Sequence, residues 1–242
     1  MRFLIDFSYS GKWFKGYQKQ KNLRTVQAEL EKVLTMINDG KYVKVISSGR
    51  TDAKVNALHQ IAHFDLDLKV TAYKLKGALN SYLPEDIYIN NVKIISSDFH
   101  ARYLVKKKTY QYKINVGRYN PLENGFIYQY GKSLDLKQMK KCIKQFVGTY
   151  DFTTFASSDD RNENKVRTIY AADVKKENDI ITISFTGSGF LKYQVRNMVG
   201  LLIKCGKEGK NIDVIDLINK KDRTKIGITA PANGLTLVEV CY

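Results

Sequence analysis

The chain of 242 residues has little of what many enzymes rely on, with only three cysteines, three histidines and three prolines. Cys142, Cys205 and Cys241 are widely spaced and form no C-x-x-C pair, so a disulfide framework is excluded and free thiols in a reducing cytoplasm are expected. His59, His63 and His100 complete no zinc pattern. There is no Walker loop, no G-x-G-x-x-G, no H-E-x-x-H and no G-x-S-x-G, which removes the common nucleotide, zinc-protease and serine-hydrolase chemistries. No apolar run reaches spanning length, and neither a basic amphipathic helix nor a lipidation signal points to a membrane. Met1 to Asp6 alternate like a strand rather than a leader. Acidic residues are scarce as well: 24 Asp and Glu stand against 40 Lys and Arg, a formal charge of +16. Such an excess favours an anionic partner, nucleic acid first, through phosphate neutralisation and counterion release. Sixteen Tyr and eleven Phe could supply stacking surfaces for unpaired bases, although most aromatics serve cores and sheets.

The hydrophobic pattern reads as an α+β protein. Residues 2–9 alternate as a strand, and Val26, Leu30, Val33, Leu34 and Ile37 fall at helical spacing between Thr25, a candidate N-cap, and Gly40. A β-rich stretch at 42–47, a strand at 58–66, a helix marked by Leu75, Leu79 and Tyr82 and stopped by Pro84, and a strand at 86–95 complete a β-α-β-β-α-β unit. The pattern then repeats. A strand at 107–116 precedes a helix carrying Met139, Cys142, Ile143 and Phe146. A hairpin at 166–186 turns at Asn178-Asp179, a long helix carries Leu191 to Leu202, and the closing strand spans 235–241. Two ferredoxin-like, RRM-like halves, 1–105 and 106–242, are expected to share an antiparallel sheet. No Pro- or Gly-rich linker and no low-complexity segment separates them.

Gly49-Arg50-Thr51-Asp52-Ala53-Lys54-Val55-Asn56-Ala57 is the most informative stretch. A carboxylate near an RNA backbone costs affinity, so Asp52 on the loop of a basic protein calls for an explanation. One reading is an Asx-turn, with Thr51 and Asp52 bonded to the local backbone. The other is a nucleophile kept ionised and oriented by a cation. In an extended segment Arg50 points away from Asp52, so that cation would come from a distant segment.

This segment resembles the G-R-T-D-A-G-V-H-A motif of the tRNA pseudouridine synthase A (TruA) family. Other family-like motifs occur in order: Trp13-Phe14-Lys15-Gly16-Tyr17-Gln18, Thr25-Val26-Gln27, Gln60 with His63-Phe64, and Phe99-His100-Ala101-Arg102. Lys108-Thr109-Tyr110-Gln111-Tyr112, Phe190-Leu191 with Gln194 to Gly200, and Ala230-Pro231 with Gly234-Leu235 follow. The resemblance implies the pseudouridine synthase fold and a homodimeric RNA-modifying isomerase without metal or organic cofactor, acting on the tRNA anticodon stem-loop. It implies that Asp52 attacks a flipped uridine or assists glycosidic cleavage. Tyr110 would stack on the base and could take part in proton removal from C5, and Arg196 would pair with Asp52. Arg50 would contact the RNA backbone or fill the gap left by the base, and Leu235 would line the pocket.

The chain departs from the pattern at Lys54 and Asn56, which replace Gly and His, and at Tyr150, which replaces His in G-T-H-D-F. A Cβ and a long cation enter at 54, where the family loop leaves room or takes a glycine conformation. Lys54 could contact phosphate or obstruct the usual substrate. Action on another RNA, ribosomal RNA included, and a non-catalytic RNA-binding protein are the rival expectations.

Overall fold

The computed structural model describes residues 1–210 and 212–242, which divide into two compact units. One comprises Met1–Lys106 with Leu237–Tyr242, the other Lys107–Thr236. The sequence pattern places all of 106–242 in the second half. In the structure Lys106 and the chain's last six residues belong with the first unit. Hydrogen bonds explain the placement: the Lys106 N–H donates to the Cys241 carbonyl (2.9 Å), and the Tyr242 hydroxyl to the Ala101 carbonyl (2.7 Å).

The first unit follows the expected order: β1 (Arg2–Tyr9), α1 (Val26–Ile37), β2 (Ile46–Ser47), β3 (Asn56–Asp65), α2 (Ala72–Tyr82) and β4 (Ile87–Ile95). β1 runs antiparallel between β3 and β4, and the two-residue β2 pairs with β3. The order β4-β1-β3-β2 is that of a ferredoxin-like half. Strand alternation sends Phe3, Ile5, Phe7 and Tyr9 of β1 inward, where Val26, Leu30 and Leu34 of α1 and Leu75 and Leu79 of α2 are also buried. Each such side chain contributes roughly 1.5–3 kcal/mol by leaving water. Leu83 is extended ahead of Pro84 and ends α2 as the X-Pro rule requires.

Thr25 does occupy the N-cap position of α1, but its side chain makes no cap hydrogen bond. The Val26 and Gln27 N–H groups donate instead to the carbonyls of Gly16 (3.3 Å) and Tyr17 (2.9 Å). The preceding loop thus caps the helix with its own backbone, which satisfies donors that a helix start leaves open.

The second unit contains β5 (Lys107–Asn115), β6 (Tyr128–Gln129), α3 (Leu136–Lys144), β7 (Gly148–Asp151), β8 (Val166–Glu177), β9 (Ile180–Gly187), α4 (Gln194–Glu208) and α5 (Val214–Asn219). The last strand, β10 (Leu235–Cys241), begins here and joins β3 in the first unit. β5-β9-β8-β7 form an antiparallel sheet, with β6 parallel to β5. The hairpin turns at Asn178, whose φ of 52° suits asparagine. Tyr110, Tyr112 and Ile114 point inward from β5, as their alternation predicts.

α3 buries Met139, Cys142 and Ile143. The free thiols of Cys142 and Cys205 touch (Sγ–Sγ 2.6 Å), and the Asp135 N–H donates to the Gly206 carbonyl at 2.9 Å, joining α3 to the last turn of α4. The other face of α3 presents Lys137, Lys140, Lys141 and Lys144, all exposed, so the chain does contain a basic amphipathic helix, contrary to the expectation from sequence; its apolar face is covered by the core. Like charges three and four residues apart cost about 0.2–0.5 kcal/mol per pair. The buried face and the Asp135 side chain, which caps the Gln138 N–H, hold the helix against that repulsion.

His63 of β3 is buried, and its Nδ1 accepts the Ala101 N–H at 3.1 Å. Burial, reinforced by the charges of Arg2 and His100, pushes its pKa down to about 4. The unfolded chain, with a value near 6.5, therefore binds the proton more readily between those limits. The contribution of His63 is complete above about pH 6.5 and is lost as the pH falls towards 4, a change on the order of 2–3 kcal/mol. The urea midpoint should fall between pH 6.5 and 5 in the wild type, and His63→Asn should flatten that portion of the profile. An unchanged slope in the variant would exclude His63 as the cause.

Candidate active site

The Asp52 loop is built from backbone contacts. In the segment leading into it, the Ser48 N–H bonds the Ile61 carbonyl (2.7 Å) and the Ser48 hydroxyl bonds Gln60 Oε1 (2.6 Å). Gln60 Nε2 in turn donates to the Gly49 carbonyl at 3.1 Å. Thr51 is buried, with its hydroxyl 2.7 Å from that of Tyr9 and its carbonyl accepting the Tyr17 N–H at 3.1 Å. Burial pushes the Tyr9 phenol up to about 12, so it stays neutral. A tight turn follows, in which the Val55 N–H donates back to the Asp52 carbonyl (3.2 Å) and the Lys54 N–H to the Phe14 carbonyl (3.4 Å).

Glycines make this approach possible. A Cβ on Gly11 would fall on the Val55 carbonyl oxygen and lie 2.8 Å from the Lys54 carbonyl carbon. Gly16, at φ +101°, sits where a Cβ would be 3.3 Å from the Thr51 oxygen and 3.4 Å from the Ala53 nitrogen. The W-F-K-G-Y-Q loop is thereby pressed against the aspartate loop on one side while capping α1 on the other. The result presents Asp52 half-buried between two exposed cations, Arg50 and Lys54.

Lys54 takes the glycine conformation, at φ 66°, where a β-carbon costs about 1–2 kcal/mol. Asn56 is buried, and its Oδ1 accepts the Gly11 N–H at 2.8 Å. The Asn that replaces His therefore bonds one loop to the other. Tyr150, on β7, covers Gly148 and meets the ring of Phe152 edge-on.

Tyr110, Arg196 and Leu235 belong to the second unit. Tyr110 is nearly buried on β5 and meets Phe190 edge-to-face, with centroids 5.3 Å apart. Arg196 lies in the first turn of α4. Its Nε donates to the Ala230 carbonyl (2.8 Å), while the Ala230 N–H donates to the Arg196 carbonyl (3.1 Å). Its guanidinium lies 4.8 Å from the centre of the Tyr193 ring, and Tyr193 holds a left-handed φ of 63° at the N-cap. Leu235 is buried immediately after Gly234, whose missing side chain leaves room for the Tyr112 ring. The Tyr112 hydroxyl completes this corner by donating to the Pro231 carbonyl at 2.7 Å.

Gln60 and Asn197 stand within the motifs named above but carry no role there, and both support the site. Gln60, wholly buried, fixes the entry to the Asp52 loop. Asn197, also wholly buried, donates to the Phe155 carbonyl (2.7 Å) and accepts from Thr229 (2.7 Å) and Arg223 (3.1 Å), anchoring the segment that holds Arg196. The available signal was an amide side chain inside an apolar stretch, which needs buried partners. Among the described residues no cluster of three His, Cys, Asp or Glu side chains could hold a metal ion, and no helix is long and apolar enough to cross a membrane.

A family model described as tRNA pseudouridine synthase matches residues 7–104 and 142–242. Over its whole length the chain is 44% identical to tRNA pseudouridine synthase A of Streptococcus uberis, covering 98% of that protein. It is 42% identical to tRNA pseudouridine synthase A of Streptococcus pneumoniae, again across the whole chain and 98% of the relative.

Two substitutions should move stability in opposite directions. Lys54→Gly relieves the left-handed backbone and should stabilise by about 0.5–1 kcal/mol. Asn56→Ala strands the Gly11 N–H and should cost about 1–3 kcal/mol. Urea denaturation measures both. A loss in the first or no change in the second would contradict the loop geometry.

Proposed function

Because the chain belongs to the tRNA pseudouridine synthase A family, we propose that it converts uridine to pseudouridine in the tRNA anticodon stem-loop, with Asp52 as nucleophile. The reaction is an isomerisation: the bond from C1′ to N1 breaks, uracil turns, C5 bonds to C1′, C5 gives up its proton and N1 takes one up. Nothing is oxidised and no group is acquired, so a carboxylate and a base-holding pocket suffice. The observation that carries the assignment is the position of Asp52, half-buried on a loop braced by backbone hydrogen bonds and flanked by exposed Arg50 and Lys54. Such bracing gives a nucleophile a defined direction, and positioning of this kind is a large part of catalysis.

The roles of the remaining residues follow from the family motifs. Tyr110 is assigned the ring that receives the extruded base, and Arg196 the cation that balances the Asp52 carboxylate. Leu235 supplies apolar lining. Arg50 and Lys54 contact the RNA backbone, consistent with their exposure. By the same family reasoning the enzyme works as a cytoplasmic homodimer.

Asp52→Asn should abolish pseudouridine formation in unmodified tRNA while leaving RNA affinity within about threefold, a difference of less than 1 kcal/mol. Pseudouridine mapping paired with filter binding reads both. Intact activity would remove Asp52 from the mechanism, and tRNA binding without modification by the wild type would favour a binding protein. Arg196→Gln alone should slow the chemical step by at least about tenfold, because the Asp52 carboxylate would lose its balancing cation, and a wild-type rate would remove Arg196 from that role. Lys54→Gly should lower the salt slope of binding by about one phosphate contact. An unaltered slope would remove Lys54 from the RNA contact, and a gain in activity would mean that its side chain obstructs the substrate.

A further inference from the structure

We propose that the lysine face of α3 docks the phosphate backbone of the RNA substrate away from the target nucleotide. The proposal rests on the reading of the chain as an RNA-modifying enzyme and names a second place where the RNA is held. Lys137, Lys140, Lys141 and Lys144 recur at helical spacing, share one face over roughly 10 Å of axis, and border a single open depression with Leu136.

Some lysines elsewhere on the surface find carboxylates, among them Lys220 with Asp216, Lys225 with Asp222, Lys41 with Asp67 and Lys175 with Asp173, and others do not; what sets α3 apart is four lysines on one helical face. On α3 none of the four has an ion-pair partner among the described residues. The helix contains no acidic residue, so the like charges repel one another, and a polyanion laid across them changes that repulsion into attraction. The face is also rigid, because Met139, Cys142 and Ile143 are locked on the opposite side. Charges held in place lose less freedom on binding than charges on a mobile tail.

Position and chemistry both favour RNA. α3 meets α4 at Cys205 and Gly206, about 13 Å along the helix axis from Arg196. Phosphates bound on α3 would thus be other than those of the nucleotide that Arg196 would serve. An anionic membrane is the other polyanion, but interfacial helices bury an apolar face in lipid. The apolar face of α3 is already occupied by the protein core.

The test replaces Lys137, Lys140, Lys141 and Lys144 with Gln together. Its control replaces Lys41, Lys175, Lys220 and Lys225 with Gln, an equal loss of charge taken from paired lysines. With an unmodified full-length tRNA transcript near physiological salt, the α3 variant should lose at least about tenfold in affinity, and its salt slope should fall by about three. Its kcat at saturating tRNA should remain at the wild-type value, and thermal unfolding should show no loss of stability. The control should keep its affinity within about twofold. Equal losses in both variants would reduce the effect to net charge, and no loss in either would make the face merely solvated. A loss confined to binding of vesicles rich in phosphatidylglycerol would replace RNA by membrane. If the wild type makes no pseudouridine yet the α3 variant alone loses tRNA affinity, the catalytic reading fails and the docking surface stands.

Discussion

Two glycine-bearing loops of the first unit touch backbone to backbone, and the presentation of Asp52 depends on that contact. Gly11 and Gly16 carry no side chain where one would strike the 51–55 segment. Their absence lets the Tyr17 and Lys54 N–H groups pair with the Thr51 and Phe14 carbonyls. The same loop offers the Gly16 and Tyr17 carbonyls to the first N–H groups of α1. Helix, loop and aspartate are thus joined through main-chain atoms, which cannot adjust as side chains can. That rigidity suits a nucleophile, whose effectiveness depends on small displacements.

The second unit uses the same economy of buried polar groups. Asn197 ties α4 to three other segments, and Arg196 exchanges two hydrogen bonds with Ala230. Gly200 permits this packing, since a Cβ there would strike the Ile228 carbonyl. Of the six left-handed residues with side chains among the described residues, Lys54 and Tyr193 occur beside the proposed catalytic groups, while Asn22, Asp39, Asn178 and Lys221 lie elsewhere. Strain of that kind persists only where surrounding contacts enforce it, and it concentrates at functional sites.

Much of this was legible in the sequence because periodicity reports burial directly. The hairpin at Asn178, β10 at 235–241 and the β-α-β-β-α-β order of the first unit all follow from apolar spacing and turn residues. The loop around Asp52 was visible as a motif, but its bracing was not. Thr25 looked like a side-chain cap, whereas the caps are carbonyls of a loop brought close by glycine. Contacts between main-chain atoms leave little residue-type signature, so propensity does not reveal them. Asn56 illustrates the same gap: its identity shows the loss of a titratable imidazole, while its bond to Gly11 emerges only from the fold.

The most direct test of the account is single-turnover pseudouridine formation by Gly11→Ala. The added methyl must displace the Val55 carbonyl and with it the turn that carries Asp52. The account predicts at least about a tenfold slower chemical step, with tRNA affinity within about twofold of wild type. A wild-type rate with tRNA affinity unchanged would show that the loop contact does not position the aspartate, and the central claim would fall.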